Sequence, residues 1–274
     1  MAGFAALLVA SHNGLGTSHV RVFGNKAQHQ RYLPKLASGE WLGAWGLTEP
    51  GSGSDASGMR TTAVRKGNKW VLNGAKMFIT QGTVGDVFVV LALTSPEKRQ
   101  KGITAFVLEK GIPGFSQRAI HGKLGMRSSD TAELILENVE VGDDAIVGEV
   151  DRGFIDTLKI LDKGRITIGA LSVGLLRGAL EESVAYSKDR TAFGQPIGEF
   201  QGLRWMMADM KTELEAARLL VHRAARLADA GQPYSEEAWA RAQRDAAGPA
   251  SGPGIRRGGA SADGSRCGPA ASRR

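Results

Sequence analysis

Apolar and polar residues follow three different patterns along the chain. Residues 1–40 read as helical pieces, and Ala27 to Leu36 is amphipathic. Residues 41–150 carry short β-prone runs separated by turn residues, which predicts a compact antiparallel β domain. Residues 151–243 return to a helical period, which predicts helices that pack as a bundle. The predicted fold class is therefore α+β.

Five β-prone runs define the central region. They are Trp70 to Gly74, Met77 to Thr80, Val87 to Leu93, Ile103 to Glu109 and Ala132 to Leu136. Asn73-Gly74 has the residue pair that two-residue hairpin turns favour, so the sequence predicts a hairpin turn there.

Two long helices are predicted in the third region. The first ends near Lys188. The second places eight apolar residues on one face, at spacings of three and four, and its stripe is interpreted as bundle core: Leu203, Met207, Met210, Leu214, Ala217, Val221, Ala224 and Ala228. The second helix is predicted to end at Gly231-Gln232-Pro233, and a new helix is predicted to begin at Ser235-Glu236-Glu237.

The last residues, 244–274, differ from the rest in composition. From Gly248 to the end there are seven Gly, five Ala, five Arg, four Ser and three Pro, and Ile255 is the only large aliphatic residue. Such a segment cannot bury enough apolar surface to offset its ordering entropy, so it is predicted to be disordered. Two origins stay open: a native flexible tail, or, as we favour, out-of-frame translation of GC-rich DNA beginning near Gln243.

Composition and charge exclude several classes of function. The net charge is +7 over 274 residues, but the segment from Arg241 onward carries +5, so the first 240 residues carry only +2. That is too little for a nucleic-acid footprint. No run of about 18 apolar residues is present, and we expect no membrane insertion. The single Cys267 predicts neither a disulfide nor a metal site.

One loop concentrates candidate chemistry. Gly46 to Asp55, with the sequence GLTEPGSGSD, combines glycines that let the backbone approach a ligand with the hydroxyls of Thr48, Ser52 and Ser54. Alone, such a cluster is more often an ordinary turn-rich loop than a binding loop. Four further features favour a binding loop: the segments Lys76 to Thr80, Leu161 to Arg165 and Arg190 to Pro196, and the residue Gln201.

The order and spacing of these motifs resemble the acyl-CoA dehydrogenase flavoprotein family, from about Ser11 to about Ala242. The resemblance implies the family's α+β fold, with residues 1–40 as a remnant of the N-terminal helical domain. It also implies FAD as cofactor, and it implies a chain shortened at the N-terminus and shortened or frameshifted at the C-terminus.

The resemblance assigns two groups of binding residues. The positions matching flavin-ring contacts are Trp45, Leu47, Thr48, Phe78 and Thr80, and those matching contacts to the FAD pyrophosphate and adenine side, across a subunit interface, are Arg190, Phe193 and Gln201. The positions matching acyl-CoA contacts are Ser54, Asp162, Lys163 and Arg165. Read from the residues alone, Phe78 is an ordinary strand residue and the Asp162–Arg165 group a solvated helix face.

The implied reaction is α,β-dehydrogenation of an acyl-CoA to a 2-enoyl-CoA by a cytoplasmic homotetramer, with electrons passing to an electron-transfer flavoprotein. An acyl-CoA oxidase and a non-catalytic binding or regulatory relative are the alternatives. The family's base is a glutamate near the C-terminus or, in a minority, at the position of Gly164. A glycine carries no carboxylate, and the chain stops or loses frame before the other position, so we expect it to be inactive. Because the missing later helices would leave the apolar stripe exposed, we also expect the chain to aggregate and to bind FAD weakly. Acyl chain length is not readable.

Overall fold

The computed structural model describes residues 2–234 of the chain. Helices precede and follow a central sheet, and the α+β prediction is confirmed. The predicted helix start at Ser235 and the predicted disorder of residues 244–274 lie outside the described residues. None of the helices between residues 2 and 234 is long and apolar enough to cross a membrane.

The N-terminal region forms three helices. They are α1 (Ala2–Ser11), α2 (Thr17–Phe23) and α3 (Lys26–Ser38), with a π-helical turn at His12–Gly16 between the first two. A capping box begins α3: the Asn25 side chain accepts a hydrogen bond from the Gln28 N–H, and the Gln28 side chain accepts one from Asn25. The helix ends at Ser38, and Gly39 follows as its C-cap with a left-handed φ of 76°.

Eight strands form the central sheet. They are β1 (Gly43–Gly46), β2 (Thr62–Lys66), β3 (Lys69–Thr80), β4 (Val87–Leu93), β5 (Ile103–Glu109), β6 (Phe115–Ala119), β7 (Thr131–Val141) and β8 (Ile146–Val147). Their order is β6-β7-β3-β2-β4-β5-β8, and β1 pairs with β4. Most pairs are antiparallel, but β1 and β2 each run parallel to β4. The sheet therefore departs locally from the antiparallel pattern.

The central strand β4 is covered on both faces. Phe88, Val90 and Ala92 face one apolar cluster, which contains Phe106 and Leu134. The alternate residues of β4 face a second cluster beneath the N-terminal helices. Because neither face meets solvent, the strand reads as a continuous apolar run, which is why the sequence predicted it directly.

The predicted hairpin turn at Asn73-Gly74 is wrong. Both residues lie inside β3, and the two-residue connection between β2 and β3 is Gly67-Asn68. Gly74 has a φ of 145° at an irregularity in the β3–β7 register, and a Cβ there would lie 2.7 Å from the Thr61 Cα. The glycine marks a close approach of two strands instead of a turn.

Two long helices complete the described chain. The helix α4 (Gly153–Asp189) leads through the short strands β9 (Thr191–Ala192) and β10 (Gln195–Pro196) into α5 (Gln201–Asp229). Leu176 and Leu180 of α4 pack against Leu214 of α5. Both predicted helices are present. The predicted stripe contributes the four buried residues of α5: Leu214, Ala217, Val221 and Ala224.

A fully buried histidine joins α2 to the sheet. The indole N–H of Trp45 donates to His19 Nδ1 at 3.2 Å, which leaves the hydrogen on Nε2, and that atom has no partner among the described residues. Burial lowers the pKa of His19 from 6.5 to about 4. The folded chain therefore holds this imidazole neutral over a range in which the unfolded chain protonates it.

Acid should destabilise the protein through His19. Above the unfolded pKa of 6.5, His19 is neutral in both states and does not lower the free energy of unfolding. As the pH falls from 6.5 toward about 4, only the unfolded chain protonates it, which lowers the free energy of unfolding by about 3 kcal/mol. Urea unfolding at pH 7.5 and pH 4 should show a smaller pH difference for His19→Gln, which keeps an acceptor for Trp45. The exposed His121→Gln variant should behave as wild type. Identical pH dependences of the wild type and His19→Gln would contradict this assignment.

Candidate functional site

The loop after β1 lies against the middle of β3. The backbone N–H of Met77 donates to the carbonyl of Thr48 at 2.8 Å. Within the loop, Glu49 and Ser52 pair through both backbone hydrogen bonds, which closes the turn at Pro50-Gly51. The structure therefore brings Thr48 beside the strand that carries Phe78 and Thr80.

A buried ion pair fastens this loop to the strand. Lys76 Nζ lies 2.7 Å from Glu49 Oε1, with the lysine side chain fully buried and the glutamate 5% exposed. Burial lowers the pKa of Lys76 to about 8, and Glu49 opposes that shift. For Glu49, burial alone would raise the pKa, but Lys76 and the N–H donors outweigh it and hold the pKa below its usual value. Both groups are charged at neutral pH.

The residues around the pair complete its coordination. Lys76 Nζ also donates to the carbonyl of Leu47 at 3.2 Å. The backbone N–H groups of Arg60 and Thr61 donate to the Glu49 carboxylate at 2.6 and 2.9 Å. A Cβ at Gly46 would lie 3.2 Å from Lys76 Cγ, so the glycine leaves room for the lysine stem. Every strong polar atom of the pair therefore has a partner.

The strand β3 is irregular where the candidate ring contacts lie. Its register against β7 shifts between Lys76 and Ile79. Phe78 lies in the shift with a φ of 62°, in the left-handed region, and the residue is 65% exposed. An aromatic residue in that conformation is strained, and such strain persists at sites that the surrounding structure over-determines.

The predicted ring contacts divide into two kinds. The side chains of Trp45 and Leu47 are buried in the cluster beneath the N-terminal helices, so only their backbone can reach a ligand. Thr48 and Thr80 are partly exposed, and within residues 2–234 neither hydroxyl takes part in a hydrogen bond. Two free hydroxyls beside an exposed aromatic face fit a planar ring with a polar edge, as a flavin has.

The predicted acyl-CoA contacts lie on two elements. Ser54 is exposed in the loop, and Lys163 is exposed on α4. Asp162 and Arg165 form an ion pair with each other along α4. At Gly164, a Cβ would lie 3.3 Å from Leu15 Cδ2, so a larger residue requires that leucine to shift.

The three predicted pyrophosphate contacts lie far along α4 from the predicted acyl-CoA contacts on that helix. Arg190, Phe193 and Gln201 are exposed around the connection between α4 and α5. At 1.5 Å per residue, Arg190 lies about 37 Å along the helix axis from Arg165. The described part of one chain therefore separates these two groups of candidate residues.

Glu49 and Lys76 were not among the site residues that the sequence predicted. The available signals were a lysine in a β-prone run and a glutamate inside a glycine-rich loop. Since 26 positions separate them, no local pattern links the two, and only the pairing of loop and strand reveals the contact.

Three family models match successive parts of the chain. The acyl-CoA dehydrogenase N-terminal domain matches residues 1–40, the middle domain matches 44–139 and the C-terminal domain matches 151–243. Among curated relatives, a short-chain-specific acyl-CoA dehydrogenase of Clostridium acetobutylicum is 45% identical over 245 residues. That match covers 89% of this chain but only 64% of the relative.

Solved structures share this architecture. Butyryl-CoA dehydrogenase from Megasphaera elsdenii matches with a TM-score of 0.86 and 40% identity, over 89% of this chain and 64% of that one. A chain in a structure of the electron transferring flavoprotein of Acidaminococcus fermentans matches with a TM-score of 0.85 and 46% identity. That match covers 88% of this chain and 63% of the other. A glutaryl-CoA dehydrogenase from Mycobacterium smegmatis in complex with FADH2 matches with a TM-score of 0.82 and 34% identity. That match covers 88% of this chain and 61% of the other.

Backbone strain at residue 78 predicts an inverted order of stability. In an ordinary strand, alanine is more stabilising than glycine, but at a left-handed φ the Cβ is unfavourable. Phe78→Gly should therefore be more stable than Phe78→Ala by about 1 kcal/mol in urea unfolding. The same pair of substitutions at Val64, an exposed residue of the regular strand β2, should show the usual order. An alanine advantage at both positions would refute the strained conformation.

Proposed function

Because this chain belongs to the acyl-CoA dehydrogenase family, we propose that it binds FAD between the loop and β3, and that it serves the α,β-dehydrogenation of acyl-CoA thioesters to 2-enoyl-CoA. The observation that carries the proposal is the juxtaposition of Thr48 with β3. The hydrogen bond from Met77 holds the partly exposed Thr48, whose hydroxyl has no partner within residues 2–234, beside the strand segment that carries the strained, exposed Phe78.

The chain's own residues would bind and orient the reactants. FAD, when bound, supplies the acceptor for the hydride from C3 of the acyl group. Thr48 and Thr80 would donate hydrogen bonds to the polar edge of the flavin, and Phe78 would cover a ring face and exclude water. Ser54 and the group Asp162, Lys163 and Arg165 would hold the CoA part of the substrate.

The substrate and partners follow from the same family assignment. The short-chain specificity of the Clostridium relative supports a short acyl chain. The match to a chain in an electron-transferring-flavoprotein structure supports that flavoprotein as electron acceptor. A cytoplasmic homotetramer would bring Arg190, Phe193 and Gln201 of one copy to the FAD pyrophosphate of another.

We also propose that the proton-abstracting glutamate is not among residues 2–234. Gly164, at one of the family's two base positions, has no carboxylate. Glu49, next to the candidate flavin contact Thr48, is committed to Lys76 and two backbone donors and cannot accept a further proton without breaking a buried ion pair.

Flavin binding tests the proposed function. FAD fluorescence should be quenched as the 274-residue chain is titrated in, and the Thr48→Val/Thr80→Val double variant should bind about tenfold more weakly, since each substitution removes one hydrogen bond. The Thr83→Val variant removes a threonine hydroxyl that bonds Asp130 instead, and it should leave the FAD affinity unchanged. Equal affinity of the wild type and the double variant would remove these threonines from the site, and no quenching by the wild type would refute the proposal.

A carboxylate at position 164 should restore proton abstraction. With butyryl-CoA under anaerobic conditions, FAD bound to the wild-type chain should keep its 450 nm absorbance, while Gly164→Glu should bleach it slowly. Gly164→Gln has the same size without a base and should not bleach. Bleaching by the wild type would show that another residue of the chain serves as base.

A further inference from the structure

We propose that the buried pair Lys76–Glu49 is a positioning device that fixes the distance between the flavin-binding loop and β3. The inference rests on the proposed function and names what determines flavin affinity at that site. Neither side chain would touch the flavin, because both lie in the interior. They act through Thr48 on one side and Phe78 on the other.

The contacts of the pair join three backbone segments. Lys76 bonds the Leu47 carbonyl and the Glu49 carboxylate. Glu49 in turn accepts from the N–H groups of Arg60 and Thr61, where the loop returns to the sheet. Both ends of the loop are therefore tied to the same strand residue.

The anchors are adjacent in sequence to the candidate flavin contacts. Thr48 lies between the two loop residues that Lys76 binds, and its own carbonyl accepts from Met77. Met77 in turn precedes Phe78. A shift of the loop along β3 would therefore change the position of Thr48 relative to the aromatic ring.

Stability alone does not account for a buried pair of this kind. Desolvation of two charges offsets most of their attraction, and apolar replacements of buried pairs are often neutral or stabilising. Apolar contacts are not directional, however, whereas this pair has fixed hydrogen-bond geometry on both partners. The pair therefore specifies one loop position where a hydrophobic contact would allow several.

The test separates positioning from stability. Lys76→Met leaves the Glu49 charge buried without its cation and should lower the thermal unfolding midpoint. The double variant Lys76→Met/Glu49→Gln removes both charges and should regain most of that loss. Even so, it should bind FAD at least tenfold more weakly, and without FAD its amides in residues 46–61 should exchange at least tenfold faster than in the wild type, while those in β4 exchange at the wild-type rate.

A second ion pair, between β3 and β7, provides the matched control. Lys69 and Glu140 are also 2.7 Å apart, but both are more than half exposed. Lys69→Met/Glu140→Gln should leave FAD affinity and loop exchange unchanged. The inference is overturned if the double variant at Lys76 and Glu49 keeps wild-type loop exchange, or if its loss of affinity follows its unfolding midpoint. If the wild-type chain binds no FAD, the proposed function fails, and loop exchange alone decides the positioning role.

Discussion

The candidate site depends on a polar interaction made inside an apolar sheet. A lysine ammonium group buried without a partner would be so unfavourable that it would lose its proton. The Glu49 carboxylate keeps Lys76 protonated. The backbone N–H groups of Arg60 and Thr61, together with Lys76, keep Glu49 ionised. The two charged groups therefore stabilise each other at the contact between the loop and the strand. A glycine at position 46 provides the space for the lysine stem.

The irregular parts of β3 lie where the proposed chemistry lies. In a regular strand, side chains alternate between the two faces, so Phe78 would share the face of Lys76, whose side chain is fully buried. The register shift after Lys76 breaks that alternation and turns Phe78 outward at the cost of a left-handed backbone. The strong pairing of β3 with β7 on both sides of the shift holds the strained residue in place. Strain and anchoring thus occur within three consecutive residues.

Local patterns predicted the helices and the apolar strands, because those depend on periodicity and burial. The hairpin was misplaced because Asn73-Gly74 and Gly67-Asn68 have similar turn chemistry, and only strand pairing distinguishes a turn from a close approach. The family resemblance supplied Thr48 and Phe78. It could not supply the contact between Glu49 and Lys76, which arises from long-range packing. The resemblance also supplied Trp45 as a flavin contact, but its side chain is buried and donates its N–H to His19.

The central claim is that one flavin contacts the loop and β3 together. Hydrogen exchange of the wild-type chain with and without saturating FAD tests it most directly. The account predicts that FAD protects amides in two separate segments, 46–54 and 77–81, and leaves the core of α5 unchanged. Protection of only one of these segments, or protection confined to a different part of the chain, would contradict it.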